Sequence, residues 1–178
     1  SKQNLLLSKL GNQVARGTKH IERGNFYETE ALKLFAKLSK MAVRVPPNKG
    51  FVRSKQHHFL ATSPDGMTLD GRLIEVKVPL KFSHGIPLLY IPQLQFSMYI
   101  LGCDSCFYVE YIADKQEICW RELGYDENFI KKHMPAVEEF ARVVFTAHKD
   151  RIDSITIENL HLVPGKTFWR ALCYKFTS

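Results

Sequence analysis

The chain has 178 residues, 45% hydrophobic and 12% aromatic, with a formal net charge of +7 and a pI near 9.2. That composition suits a soluble globular core and argues against a disordered chain. No apolar run approaches the roughly 18 residues a membrane span needs. Nothing reads as a charged-then-apolar leader, so secretion is not expected, and with no spanning run no membrane partner is expected. The basic balance favours a polyanionic partner, with nucleic acid first.

In chain order, residues 3–10 are apolar enough for a short helix, and Gly11 and Gly17 punctuate the loop after it. From 21 to 40, Tyr27, Ala31, Leu34, Phe35 and Leu38 recur at helical spacing, which predicts an amphipathic helix. Its Lys33, Lys37 and Lys40 form a basic stripe, following the cluster Arg16, Lys19 and Arg23. A solvated face and a phosphate-tracking surface are equally good readings of that stripe. Strands are predicted at 41–45, 59–63 and 73–78, with Asp70-Gly71 as a hairpin turn between the last two. The loop 81–87 leads to a helix at 93–101, with Pro92 suited to its first turn and Gly102 as its stop. Strands at 106–113 and 116–123 and a helix at 127–148, interrupted or restarted at Pro135, come next. Short strands at 154–157 and 169–174 end the chain. The expected fold is one α/β domain with a mixed central β-sheet flanked by helices, its core at about 20–150 and a C-terminal extension at 151–178.

Four cysteines, Cys103, Cys106, Cys119 and Cys173, include one CxxC but no second pair at zinc-ligand spacing. They read as reduced thiols. His57-His58 reads as a loop or strand-edge pair, and Tyr108, Tyr111, Trp120 and Trp169 as core aromatics.

Chemistry gathers in Ser63-Pro64-Asp65-Gly66 and Leu73-Ile74-Glu75-Val76-Lys77-Val78. In a strand Glu75 and Lys77 share one face, and Ile74, Val76 and Val78 take the other. The pair is either a solvated salt-bridged edge or half of an active site. A hairpin at Asp70-Gly71 brings Asp65 and Glu75 together, and paired carboxylates stay ionised beside a cation. Hard oxygen ligands suit Mg²⁺, or Mn²⁺ in its place, and Lys77 then lies where it can hold or activate a water for phosphodiester hydrolysis.

Three blocks resemble the PD-(D/E)XK nuclease superfamily, and within it the lambda-exonuclease or YqaJ-like viral recombinase family. They are Gly24-Asn25-Phe26-Tyr27-Glu28 with Ala31, then Asp65 through Glu75-Val76-Lys77, then Gln93-Leu94-Gln95 within residues 90–99. The strand Phe107-Tyr108-Val109-Glu110-Tyr111 is similar too. The resemblance implies a restriction-endonuclease-like αβββαβ core. It implies Asp65, Glu75 and the Val76 carbonyl as metal ligands, with Glu28 close to the metal or its waters and Glu30 its competitor. Lys77 orients or activates water, and Gln93 positions Lys77 or the water. Gln95 is expected to be structural. Ser63 is a phosphate contact, and Arg23 and Lys33 are further substrate-binding candidates. Arg16, Lys19 and Arg23 stand as alternatives for the family's 5′-end arginine. The implied activity is a Mg²⁺-dependent 5′–3′ exonuclease on double-stranded DNA ends that leaves 3′ single strands for recombination. The alternatives are an endonuclease or shut-off type RNA-degrading nuclease, or an inactive nucleic-acid-binding module. Implied partners are double-stranded DNA, a single-strand annealing protein and a further copy of the chain. The implied setting is intracellular, as a viral, phage or prophage protein in host cytoplasm or nucleus. An iron–sulfur nuclease of the superfamily needs a cysteine ahead of the core, and Cys103 is the first in this chain.

Overall fold

The computed structural model describes residues 19–46 and 50–149, with side chains from Phe26 onward and up to Thr146. The elements are helix α1 (Lys19–Ser39), strands β1 (Val43–Arg44), β2 (Val52–Arg53), β3 (Ala61–Thr62), β4 (Gly66–Thr68) and β5 (Leu73–Lys77), a 3₁₀ turn (Leu88–Tyr90), helix α2 (Ile91–Leu101), strands β6 (Ser105–Ile112) and β7 (Glu117–Gly124), and helix α3 (Glu127–Lys149). Residues 17–126 form one compact unit and α3 belongs to a second.

A five-stranded sheet runs β1-β4-β5-β6-β7. Only the β5–β6 pairing within it is parallel, with Glu75 beside Tyr108 and Lys77 beside Glu110. This is the expected mixed α/β fold. The helix at 91–101 forms the crossover that a parallel pair requires. It has Pro92 in its first turn and stops at Gly102, whose φ of 69° is the left-handed cap that glycine accepts freely.

Alternation along β5 and β6 divides the core in two. Ile74, Val76, Phe107, Val109 and Tyr111 pack against Ala31, Leu32 and Phe35 of α1. Leu73, Cys106 and Tyr108 pack with Cys103 and with Leu94 and Met98 of α2 on the other face. Cys103 and Cys106 thus fill apolar space as thiols, and burial pushes the Cys106 thiol up to about 12. Tyr108 and Tyr111 are buried, and Trp120 packs against the α1 side.

The expected three-strand meander is corrected in its middle. Residues 61–62 pair with 52–53 in a separate two-stranded sheet, and β4 is the strand between β1 and β5. Pro64 breaks the ladder between them, since proline supplies no N–H. The Asp70-Gly71 turn is present: Thr68 N donates to Arg72 O at 2.9 Å and Gly71 has φ 93°. Hydrogen bonds from Arg72 and Thr68 hold the Asp70 carboxyl down at about 2. Helix α3 runs through Pro135 without interruption, and its Ile130, Met134, Val137 and Phe140 are buried. The calls at 3–10, 154–157 and 169–174, with Arg16, Cys173 and Trp169, lie outside the described residues.

Gly66, next to Asp65, lets α1 approach the sheet. A Cβ there would stand 2.9 Å from Leu32 Cδ2 and 3.6 Å from Ile74 Cβ. Gly66→Ala is expected to lower unfolding stability by about 1–3 kcal/mol through overpacking. A urea titration followed by circular dichroism measures it. An unchanged midpoint would show that Leu32 shifts without cost.

Candidate active site

The hairpin register fixes the acids. Gly66 lies opposite Ile74, so Asp65 comes level with the end of β5 beyond it. There Val76 N donates to Asp65 Oδ2 at 2.7 Å. Because a strand residue's N–H and C=O leave on the same side, the Val76 carbonyl also lies toward Asp65. Glu75 is 4% exposed, and its Oε1 accepts from Lys77 Nζ and Gln93 Nε2, each at 2.5 Å. β5 is an interior strand, so the pair is not a solvated edge. Gln93 thus reaches Glu75 from the first turn of α2, whereas Gln95 is buried and bonds Gly124 O and Asp126 N at the end of β7. Two residues apart on a helix, the glutamines serve different ends, Gln95 a structural one.

On α1, Glu28 lies one turn ahead of the core residues Ala31, Leu32 and Phe35, so the stripe that packs on the sheet ends in an acid at the site. Glu28, Asp65, Glu75, Val76 and Lys77 line one open cleft of about 640 Å³. Glu30 is elsewhere: it accepts a hydrogen bond from Tyr111 and lines a separate hollow with Lys33 and Lys37. Of the two acids, Glu28 lines the cleft with Asp65 and Glu75, and Glu30 does not. Ser63 is exposed and does not line the cleft, and neither does Lys33. Arg23 lies on α1, and its side chain is outside the described set.

Charge is unevenly balanced in the cleft. Burial, then repulsion by Glu75, pushes the Asp65 carboxyl up to about 8, with Glu28 adding to it against the Val76 N–H. Burial opposes the Lys77 charge, yet Glu75 and Asp65 outweigh it and raise the ammonium above its ordinary value. Lys77 Nζ also lies 5.1 Å from the Tyr90 ring centroid. Lys77 answers Glu75 and Asp65 at close range, and with Glu28 and Glu110 also in the lining the acids leave an excess of negative charge that a divalent cation would relieve.

The donor set fits a small hard cation. Among the described residues no group of three or more His, Cys, Asp or Glu is placed to enclose a metal. Two carboxylates and a backbone carbonyl match Mg²⁺, which keeps waters and takes substrate phosphate in place of a full protein cage. Glu28, lining the same cleft, would face such an ion or its waters.

Sequence reasoning missed a second buried acid. Glu110, 2% exposed on β6, accepts from Ser83 N (3.1 Å), Ser83 Oγ (2.7 Å), Tyr108 Oη (3.3 Å) and Arg121 Nη1 (3.3 Å). An acid inside the apolar run 106–112 of an interior strand was the available signal, because such a strand is covered on both faces.

The YqaJ-like viral recombinase domain model matches residues 2–104, more than half of the sequence. The chain belongs to the YqaJ-like viral recombinase family. Its lambda-exonuclease-type, PD-(D/E)XK character agrees with that match, and the membership makes this a nuclease-type domain, a phosphodiesterase by reaction class. Its fold is similar to that of an alkaline exonuclease from Laribacter hongkongensis (TM-score 0.71, 21% identity, 83% of this chain and 81% of that one). The Laribacter protein has also been solved with dAMP (TM-score 0.67, 20% identity, 83% and 80% covered). A phage-related exonuclease from Haemophilus somnus has the same fold (TM-score 0.64, 16% identity, 86% and 82% covered). An uncharacterized protein of Acanthamoeba polyphaga mimivirus is 26% identical over 147 residues, 70% of this chain. The chain spans about a quarter of that viral relative. No described helix is long and apolar enough to cross a membrane.

Proposed function

We propose that this YqaJ-family chain is a divalent-cation-dependent deoxyribonuclease, a 5′–3′ exonuclease acting on double-stranded DNA ends to leave 3′ single strands. The observation that carries the reading is the facing of Asp65 and Glu75 across the β4–β5 hairpin, with the Val76 carbonyl and Lys77 beside them. Asp65, Glu75 and the Val76 carbonyl would hold Mg²⁺, with Mn²⁺ as substitute and Glu28 at the rim. When bound, the ion supplies Lewis acidity at the phosphoryl group. Gln93 Nε2 fixes the Glu75 carboxylate so that its geometry does not depend on Lys77 alone. Lys77 Nζ holds its proton and donates toward the attacking water, orienting it in line with the scissile phosphate. The dAMP bound to the Laribacter protein, a nucleotide ligand on this fold, supports the substrate class.

Residues 1–178 are read as one nuclease domain, with 151–178 as a C-terminal extension. Ser63, Arg23 and Lys33 are kept as outlying backbone contacts, reached only by nucleic acid that extends past the cleft. A single-strand annealing protein and a further copy of the chain are the partners such an activity calls for. Host cytoplasm or nucleus is its setting, and the mimivirus relative supports a viral lineage.

The test compares linear duplex, circular duplex, single-stranded DNA and RNA in Mg²⁺, with 5′ or 3′ phosphate on the linear forms. Mononucleotides from linear duplex, fastest with a 5′ phosphate, are expected, with circles untouched. Cleavage of circles would replace the exonuclease by an endonuclease, and preferred RNA breakdown by an RNA-degrading nuclease. Binding without cleavage would leave an inactive binding module.

A further inference from the structure

The loop between β5 and the 3₁₀ turn forms one wall of the cleft, contributing Pro79, Lys81, Ser83 and Pro87. It is held from beneath at one residue. Ser83 gives its N–H to Glu110 Oε2, and its hydroxyl lies within reach of Glu110 Oε1 and Gly85 O (2.6 Å). The Ser83 carbonyl accepts from Arg121 Nη2 at 2.8 Å, and Arg121 Nη1 bonds Glu110 in turn. Three polar groups of a single loop residue are thus gripped by an acid–guanidinium pair on β6 and β7. Burying an acid is costly without such partners, and pairs of this kind serve geometry better than stability. Prolines at both ends of the loop lower the entropy of ordering it.

Two residues before this anchor is Lys81, exposed on the cleft wall and in no ion pair with any described residue. Around it the cleft is lined by Glu28, Asp65, Glu75 and Glu110. Glu75 is answered by Lys77 and Glu110 by Arg121. Lys81 is therefore a cation whose charge no described residue has taken up, on a wall that an incoming polyanion must pass.

We propose that Lys81 binds a backbone phosphate of the nucleic-acid strand in the cleft, and that Glu110 and Arg121, through Ser83, are positioning residues that hold the loop for that contact. The proposal rests on the nuclease reading and extends it to the substrate grip.

The experiment measures binding of a short linear DNA duplex across a salt series, with Ca²⁺ replacing Mg²⁺, and steady-state cleavage in Mg²⁺. Lys81→Ala is expected to shallow the slope of log affinity against log salt by about 0.9, the value of one duplex phosphate contact. It should raise KM with little change in kcat, and Lys81→Arg should restore the slope. Glu110→Gln is expected to lose the same increment with Lys81 present, and the double variant to lose no more than either single one. Ser83→Ala, which keeps the backbone anchors, supplies an intermediate loss and serves if Glu110→Gln unfolds. A purely structural Glu110 would lower Tm and leave the slope at its wild-type value. That result, or a wild-type slope in Lys81→Ala, overturns the proposal while the nuclease reading stands. Wild-type protein that neither binds nor cleaves DNA overturns both.

Discussion

Asp65→Asn should separate activity from stability. Cleavage is expected to fall by about 10³-fold or more, the several kcal/mol that a lost Lewis-acid site represents. Stability in EDTA should move the other way. Asparagine keeps an oxygen for the Val76 N–H and removes a carboxyl that burial, Glu75 and Glu28 force to take up a proton or to stay charged at a cost. Tm should rise by about 2–4 °C for each kcal/mol of repulsion relieved. Thermal unfolding in EDTA beside a cleavage assay in Mg²⁺ measures both. A variant that loses activity together with stability would mark Asp65 as a structural residue of the hairpin.

Lys77→Met is expected to produce the opposite stability signature. It leaves Glu75, 6% exposed at its side chain, with Gln93 as its remaining donor of the two. Breaking a buried pair by removing one partner costs about 3 kcal/mol at the low end, which suits a lysine 24% exposed. Added Mn²⁺ should recover more of that loss than it adds to wild-type stability, because the ion takes over the neutralising of Glu75. Cleavage at saturating Mn²⁺ should still be about 10²-fold or more down, as expected when the group that orients the attacking water is lost. Lys77→Arg should keep the stability and lose the rate, since a guanidinium cannot occupy the space of a compact ammonium. Retained activity in Lys77→Met with Mn²⁺ would remove Lys77 from the chemistry.

The two variants behave differently because of what local sequence encodes. Asp65, Glu75 and Lys77 are legible because one tight turn at Asp70-Gly71 and a period of two place them, and both rules act over a few residues. Helix α1 is legible from its apolar stripe, and Glu28, singled out by the family resemblance with Glu30 as competitor, is the one that lines the cleft. The β2–β3 pair is not, since two residues per strand carry no period and Pro64 hides where the ladder breaks. Ser63 is expected at a phosphate only through the family resemblance, and it is exposed and off the cleft lining. Lys33 was drawn in by charge alone, and its turn of α1 faces a different hollow. The Glu110 network joins residues 27 and 38 positions apart, and Gln93 meets Glu75 across 18. Those contacts depend on the parallel register of β5 with β6 and on the crossover through α2, which no local pattern specifies.

The most direct measurement is the rate of nucleotide release from end-labelled linear duplex as Mg²⁺ is titrated, with wild type, Asp65→Asn and Glu75→Gln side by side. The expected result is a saturable Mg²⁺ requirement in wild type, abolished by EDTA and absent from both variants at every concentration. Release that persists in EDTA, or wild-type rates in either variant, would contradict a cation-dependent phosphodiesterase centre at Asp65 and Glu75.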